Sequence, residues 1–186
     1  DTWKARNGNV CINCASLSDM KNLTADSIDY IFTDPPFGGN LMYSELSYLW
    51  ESWLKVRTNN NTEAIIDSVQ KKGLLEYQNM MTDCFAEYFR VLKPGRWITV
   101  DFHNSKNAVW TAIQESLNRA GFIIADVRTL DKKQGSFKQV NSTQTVKQDL
   151  VISLYKPKDS FRKQFLSNDG GEETGWSFVR QHLANL

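Results

Sequence analysis

Four adjacent residues, Asp34-Pro35-Pro36-Phe37, place three different chemical groups side by side. Asp34 offers a carboxylate, and the carbonyl of Pro35 offers a second acceptor that is fixed in direction because proline restricts the backbone. Phe37 offers a flat apolar face for a base flipped out of its stack. Such a set suits the alkylation of an amine conjugated with an aromatic ring, since the nitrogen needs acceptors for its N–H protons as it becomes tetrahedral.

The run Ile28–Thr33 precedes these residues and is rich in β-branched and aromatic side chains. It predicts a buried strand. Pro35 ends this strand because proline cannot donate to a sheet ladder, so Asp34 would lie at its carboxyl end. Open α/β sheets bind ligands at that end. The alternative is a strand closed by an ordinary proline turn.

The four residues resemble motif IV of the amino-group DNA methyltransferases, which methylate adenine N6 or cytosine N4. The similarity extends to three other stretches, namely residues 26–33, which lead into the motif, 89–95 and 149–157. Residues 43–46 with 50–54 resemble a subgroup of large bacterial DNA methylases.

The resemblance implies a DNA methyltransferase that uses S-adenosylmethionine and acts on DNA. It implies that the catalytic residues are Asp34, Pro35, Pro36 and Phe37. The candidate substrate-binding residues are Phe37, Asn40, Tyr43, His103 and Lys138, and the candidate cofactor-binding residues are Ala15, Ser16 and Asp34. Adenine N6 is preferred over cytosine N4, although both amines have the same geometry.

The chain departs from the family at the cofactor site. The Gly-rich loop that follows the family's first strand is absent, and the chain begins at Asp1 instead of a methionine. We therefore expect the target-base half of a split or truncated fold, which would not retain S-adenosylmethionine and would have the missing cofactor-binding half as a partner. The first strand candidate, residues 9–12, would then be the family's third strand.

Hydrophobic periodicity predicts the remaining elements. Helices are expected at 41–56, 74–92, 106–120 and 176–184, with a short one around 64–69 in a polar loop. Strands are expected at 96–103, 122–128 and 149–155, with a polar, basic loop at 129–148. The last two strands have no helix between them and should be antiparallel. The pattern predicts an α/β fold, a partial Rossmann-like methyltransferase fold with a mostly parallel sheet, a reversed last strand and helices on both faces. Residues 1–157 would form the catalytic half-domain and 158–186 a helical tail.

Composition constrains the function less strongly. The chain has 186 residues and a net charge of +1, without a long apolar run, and we expect a bacterial cytoplasmic protein. Nine basic residues against three acidic ones between Arg128 and Lys163 form a stripe that could contact phosphate or be solvated surface. Cys11 and Cys14 form a Cys-x2-Cys pair without a second pair, so no metal site is predicted.

Two other functions stay open. The chain could be a non-catalytic nucleic-acid-binding fragment that kept the base pocket and lost its cofactor half. It could also methylate an amide on protein through a similar Pro-Pro-aromatic loop. In that case Asn usually replaces Asp, and Asp34 therefore argues against it.

Overall fold

The fold, as a computed structural model, is described for residues 3–4, 10–12, 15–39, 41–104, 106–130, 149–160 and 172–185. Strands β1 (Trp3–Lys4) and β2 (Cys11–Ile12) form a small antiparallel ribbon. The main sheet contains β3 (Ile28–Thr33), β4 (Leu92–Phe102), β5 (Ile123–Leu130) and β6 (Asp149–Tyr155). The helices are α1 (Tyr43–Leu54), α2 (Leu74–Val91), α3 (Asn107–Ala120) and α4 (Glu172–Asn185), with a 3₁₀ turn at Asn60–Thr62.

The main sheet has the order β3-β4-β6-β5. Strand β3 is parallel to β4, whereas β6 is antiparallel to both β4 and β5. Three strands therefore run in one direction and the last strand is reversed, which confirms the predicted α/β fold. The last strand lies between β4 and β5, so strands consecutive in sequence are not always neighbours in the sheet.

One face of the sheet carries the hydrophobic core. Ile98 and Val100 of β4 pair in register with Leu154 and Ile152 of β6, and all four side chains are buried. Helices α2 and α3 cover this face. Their buried stripes consist of Tyr77, Met81, Phe85 and Tyr88 on α2 and Val109, Ile113 and Leu117 on α3. The 3.6-residue period of these apolar positions explains why both segments are helical.

Helix ends in this layer have local causes. The Glu76 carboxylate accepts a hydrogen bond from the Gly73 N–H at 2.8 Å, which caps the start of α2. Gly121 adopts φ +100° and ends α3, as the sequence predicted. Each of these caps places an end of a helix that supports the motif loop.

The opposite face is covered differently. Trp97 of β4 lies against Tyr155 of β6, and Tyr155 contacts His182 of α4 through ring packing and a 3.1 Å hydrogen bond. Near β3 the same face is open, since Tyr30 and Phe32 are 55% and 64% exposed. Strand β3 pairs with β4 alone among the strands described, so it is an edge strand and not the buried strand that was expected.

Two further expectations differ from the structure. No helix forms at 64–69; an antiparallel bridge between Asp67 and Lys72 is found there. Strand β2 was expected to correspond to the family's third strand, but it pairs with β1 and does not join the main sheet. Helix α1 forms as predicted, but it has no buried residue, and Trp53 is 82% exposed. A helix capable of spanning a bilayer is not found in the part of the chain described.

Candidate active site

The Asp34-Pro35-Pro36-Phe37 loop follows β3 at its carboxyl end. Asp34 is exposed, Pro35 is buried, and Pro36 and Phe37 are half-buried. The two prolines lack N–H groups, so this stretch cannot hold itself through backbone donors at these positions. The loop must therefore be fixed by donors from elsewhere in the fold.

Two buried side chains supply those donors. The Tyr77 hydroxyl, on α2, donates to the Pro36 carbonyl at 2.5 Å. The Asn104 side-chain amide, just beyond β4, donates to the Phe37 carbonyl at 2.6 Å. Neither residue was predicted as part of the site. A hydroxyl within the apolar stripe of α2 was the available signal, because a buried tyrosine hydroxyl usually has a hydrogen-bond partner.

The ring of Phe37 packs by its edge. It lies 5.4 Å from the Phe102 ring at an interplanar angle of 82°, and 6.2 Å from the His103 ring at 73°. Phe102 in turn contacts Trp110 of α3, with ring centroids 4.8 Å apart. These edge-on contacts are favourable geometries for aromatic rings and restrict the orientation of Phe37.

His103, a predicted substrate-binding residue, is brought next to the loop. Its Nδ1 atom lies 2.7 Å from a carboxylate oxygen of Asp149, which is buried at the start of β6. This contact places the imidazole next to the buried carboxylate and beside Phe37. Asp149 was not predicted, because the position of β6 next to β4 was not readable from the sequence.

Tyr43 also comes close to the loop. Burial raises the pKa of Tyr43, and the negative charge of Asp34 raises it further. The phenol is therefore neutral at physiological pH and lies within the electrostatic field of the Asp34 carboxylate. Tyr43 therefore lies near Asp34, and its role in substrate binding stays a prediction.

Glu63 positions the beginning of α1, which carries Tyr43. Its carboxylate accepts the Ser44 backbone N–H at 3.0 Å and the Ser44 hydroxyl at 2.7 Å. Gln70 adds a third bond at 3.0 Å. Burial would raise the pKa of Glu63, but the bonds from Gln70 and Ser44 outweigh it and lower the pKa. A negative charge at the first turn of a helix is also favourable for the helix dipole.

The glycines after Phe37 permit a close turn. Gly38 has φ +82°, and a Cβ atom there would lie 3.2 Å from the Ile66 side chain. A Cβ atom on Gly39 would lie 3.0 Å from the Ile66 carbonyl oxygen. The segment around Ile66 therefore packs directly on the loop. The positive φ of Gly38 favours glycine there, and a side chain at Gly39 would require the Ile66 backbone to shift.

Other predicted site residues are not brought together. Ala15 and Ser16 lie on an exposed segment after β2, and the Ser16 hydroxyl bonds to that of Ser18 at 2.9 Å. Asn40 and Lys138 lie outside the described residues. The Cys-x2-Cys pair is also outside, since Cys14 is not described, and no cluster of metal-ligating side chains is found among the residues that are.

Lys156 is one of the nine basic residues of the predicted stripe, but it is not available to contact phosphate. It is buried, and its ammonium group donates to Asp26 at 2.6 Å and to the carbonyls of Phe89 and Leu92 at 2.8 and 2.9 Å. These hydrogen bonds connect the residue after β6 with α2 and β4, and the buried ammonium group is not accessible to DNA. Of the remaining eight basic residues of the stripe, Arg128 and Lys158 lie in described segments.

Comparison with known proteins gives a family match. A family model for DNA methylases matches residues 28–184. The PvuII DNA methyltransferase, which is cytosine-N4-specific, has a similar structure with a TM-score of 0.50 and 15% identity, covering 80% of this chain and 50% of that one. TTHA0409 from Thermus thermophilus, assigned to the DNA modification methylases, has a TM-score of 0.45 and 12% identity, with coverage of 81% and 58%. No curated protein matches the chain.

The chain thus spans 50% and 58% of the lengths of these two structures. At such low identity the likeness to the PvuII enzyme supports the fold alone.

Proposed function

The chain belongs to the DNA methylase family, whose model covers residues 28–184, and on that premise we propose that it is the target-base half of an S-adenosylmethionine-dependent DNA methyltransferase that acts on an exocyclic amine. The observation that carries the proposal is the motif loop at the end of β3. Its Asp34 side chain is exposed, while the carbonyls of Pro36 and Phe37 are anchored from within the fold.

Asp34 and the Pro35 carbonyl would act on the amine together. With the methyl donor supplied in an assembled enzyme, the Asp34 carboxylate would take one N–H proton as the amine nitrogen gains positive charge. The Pro35 carbonyl would accept the other N–H and so orient the lone pair of the amine. Acceptors fixed before the reaction act mainly on the transition state, since they need no reorganisation.

Phe37 and His103 would hold the base. Phe37 is half-buried and restrained at its edge by Phe102 and His103, so it provides a rigid surface for stacking. Aromatic stacking contributes about 1–3 kcal/mol per base and tolerates different bases. The loop offers the same two acceptors to adenine N6 and to cytosine N4, so both amines are substrates to test. Adenine N6 comes first.

The described residues fit the acceptor amine but not the whole cofactor. Ala15 and Ser16 lie on an exposed segment that follows a ribbon outside the main sheet, and the adjacent glycines that follow the described strand β3 belong to the motif loop itself. In an assembled enzyme S-adenosylmethionine supplies the methyl group. We propose that this chain alone does not form the site that would hold it, and we derive no step through it.

We propose that the cofactor-binding half docks along β3. The outer edge of β3 pairs with no other described strand, and Tyr30 and Phe32 are exposed on the adjoining face. Exposed edges with apolar side chains readily add a further strand. Docking there would place the partner directly beside Asp34.

The test is methyl transfer by an assembled protein that contains this chain and a cofactor-binding half. Asp34→Ala should lower the single-turnover rate of tritiated methyl incorporation into DNA by at least 10²–10³-fold, on the order of the loss of one preorganised transition-state contact. Asp29→Ala is the matched control, because Asp29 is an exposed carboxylate on the same strand that pairs with Lys93 at 2.9 Å. Near-normal turnover by Asp34→Ala, with circular dichroism showing a folded protein, would mean that the loop is only a turn.

Two measurements complete the design. Phe37→Ala should weaken binding of a DNA duplex with an extrahelical target base by about 1–3 kcal/mol, whereas Phe37→Tyr and Phe37→Trp should retain it. Calorimetry on the isolated chain should show no micromolar affinity for S-adenosylmethionine. Micromolar binding by this chain would contradict the proposed division into halves.

A further inference from the structure

The motif loop is held through its carbonyl groups, by side chains far away in sequence. Tyr77 and Asn104 donate to the two successive carbonyls of Pro36 and Phe37. Within the described segments no hydrogen bond to the carbonyl of Pro35 is formed. The Pro35 carbonyl thus differs from the two carbonyls that follow it.

Each donor is itself fixed. Tyr77 is 0% exposed within the core of α2, and burial raises its pKa, so the hydroxyl keeps its proton and acts as a donor. Asn104 is 3% exposed, and its Oδ1 atom accepts the Lys106 N–H at 2.7 Å, which sets the orientation of the amide. The Asn104 carbonyl also accepts the indole N–H of Trp110 at 2.8 Å.

We propose that Tyr77 and Asn104 are positioning residues, a clamp that holds the loop so that the Asp34 carboxylate and the Pro35 carbonyl keep a fixed separation for the target amine. The inference rests on the proposed function and extends it to residues that do not contact the substrate. By occupying the carbonyls of Pro36 and Phe37, the clamp prevents the loop from rotating and leaves the Pro35 carbonyl as the acceptor. Misplacing a reacting group by about 1 Å costs on the order of 100-fold in rate.

The hydroxyl of Tyr77 can be removed without changing the core volume, as Tyr77→Phe. Tyr88→Phe is the matched control: Tyr88 is a second buried tyrosine on α2, and its hydroxyl bonds to the Thr33 hydroxyl at 3.1 Å instead of to the loop. Both variants lose one buried hydrogen bond, so a general loss of stability would affect them equally.

The first measurement is amide hydrogen exchange on the 186-residue chain, followed in peptides that contain Phe37, Gly38 and Gly39. Tyr77→Phe should exchange these amides about five- to tenfold faster, as expected when one hydrogen bond that restrains local opening is lost. Tyr88→Phe should match the parent chain within about twofold. This measurement needs neither cofactor nor DNA and therefore does not depend on the proposed function.

The second measurement is single-turnover methyl transfer by the assembled protein. Tyr77→Phe and Asn104→Asp should lower the transfer rate about 10- to 100-fold and leave the DNA dissociation constant unchanged, because the clamp acts on geometry and not on binding. If Tyr77 had a purely structural role, Tyr77→Phe and Tyr88→Phe would lower the unfolding temperature and the transfer rate to the same extent.

The outcomes separate the two proposals. Faster exchange and slower transfer in Tyr77→Phe, with Tyr88→Phe unchanged, support the clamp. Exchange equal in the two variants, or faster exchange with a normal transfer rate, overturns it. If the assembled parent protein transfers no methyl group, the proposed function fails, and the exchange result alone supports or overturns the clamp.

Discussion

Replacing Gly38 by alanine tests the geometry of the motif loop directly. Gly38 adopts φ +82°, a left-handed conformation that costs a residue with a Cβ atom about 1–2 kcal/mol. The new methyl group would also lie 3.2 Å from the δ-carbon of Ile66, so that side chain would have to shift. We therefore expect Gly38→Ala to lower the free energy of unfolding by about 2 kcal/mol.

Gly175→Ala provides the control with the opposite sign. Gly175 lies within α4, and a Cβ atom there would meet nothing within 4 Å. Alanine is favoured over glycine in a helix interior by about 0.5–1 kcal/mol, so this variant should be slightly more stable than the parent.

Thermal unfolding followed by far-ultraviolet circular dichroism distinguishes the two variants. For a chain of this size 1 kcal/mol corresponds to about 2–4 °C, so Gly38→Ala should unfold about 4–8 °C below the parent and Gly175→Ala about 1–4 °C above it. A Gly38→Ala variant as stable as the parent would refute the left-handed turn after Phe37. It would also remove the argument that the loop has one conformation.

Two further predictions concern a buried thiol and the basic loop. Burial and, to a smaller extent, the charge of Asp83 raise the pKa of Cys84 from 9.0 to about 11. In a variant with Cys11 and Cys14 replaced by serine, Cys84 should therefore react with a disulfide reagent at pH 8 about a hundredfold more slowly than an unperturbed thiol does. The folded chain keeps the Cys84 thiol proton at pH values where the unfolded chain has lost it, so the free energy of unfolding should fall as pH rises from 9 toward 11. The fall should be less steep in Cys84→Ala, and an equal slope would contradict the raised pKa of Cys84. Replacing the lysines at positions 132, 133, 138 and 147 should weaken DNA binding for all sequences and reduce the salt dependence by about one unit of slope per contact, and an unchanged slope would mean solvated surface.

Local signals explain why much of the fold was predictable. The period of Tyr77, Met81, Phe85 and Tyr88 placed α2 within one residue of its observed end, and Gly121 ended α3. The two prolines ended β3 where expected. In each case the residues that determine the structure lie within a few positions of it, which is the range over which propensity and periodicity act.

Long-range contacts explain why the rest was not predictable. The acceptor of the Tyr77 hydroxyl lies 41 residues earlier, and that of Asn104 lies 67 residues earlier. Both contacts depend on how α2 and β4 pack around β3. The polar segment expected to be helical at 64–69 is instead organised by Glu63, whose carboxylate bonds Ser44 and Gln70, so tertiary hydrogen bonds override local propensity there.

The position of β3 in the sheet explains how one loop could serve two halves of an enzyme. Two hydrogen bonds and one ring contact that hold the motif loop come from α2 and from the end of β4: Tyr77 lies on α2, Phe102 is the last residue of β4, and Asn104 follows it. The other edge of β3 has no partner among the described strands. The acceptor geometry would therefore be complete in this chain before assembly, whereas the methyl donor would arrive with the half that docks on β3. It follows that breaking the docking edge should abolish transfer without changing exchange in the loop, whereas breaking the clamp should change both.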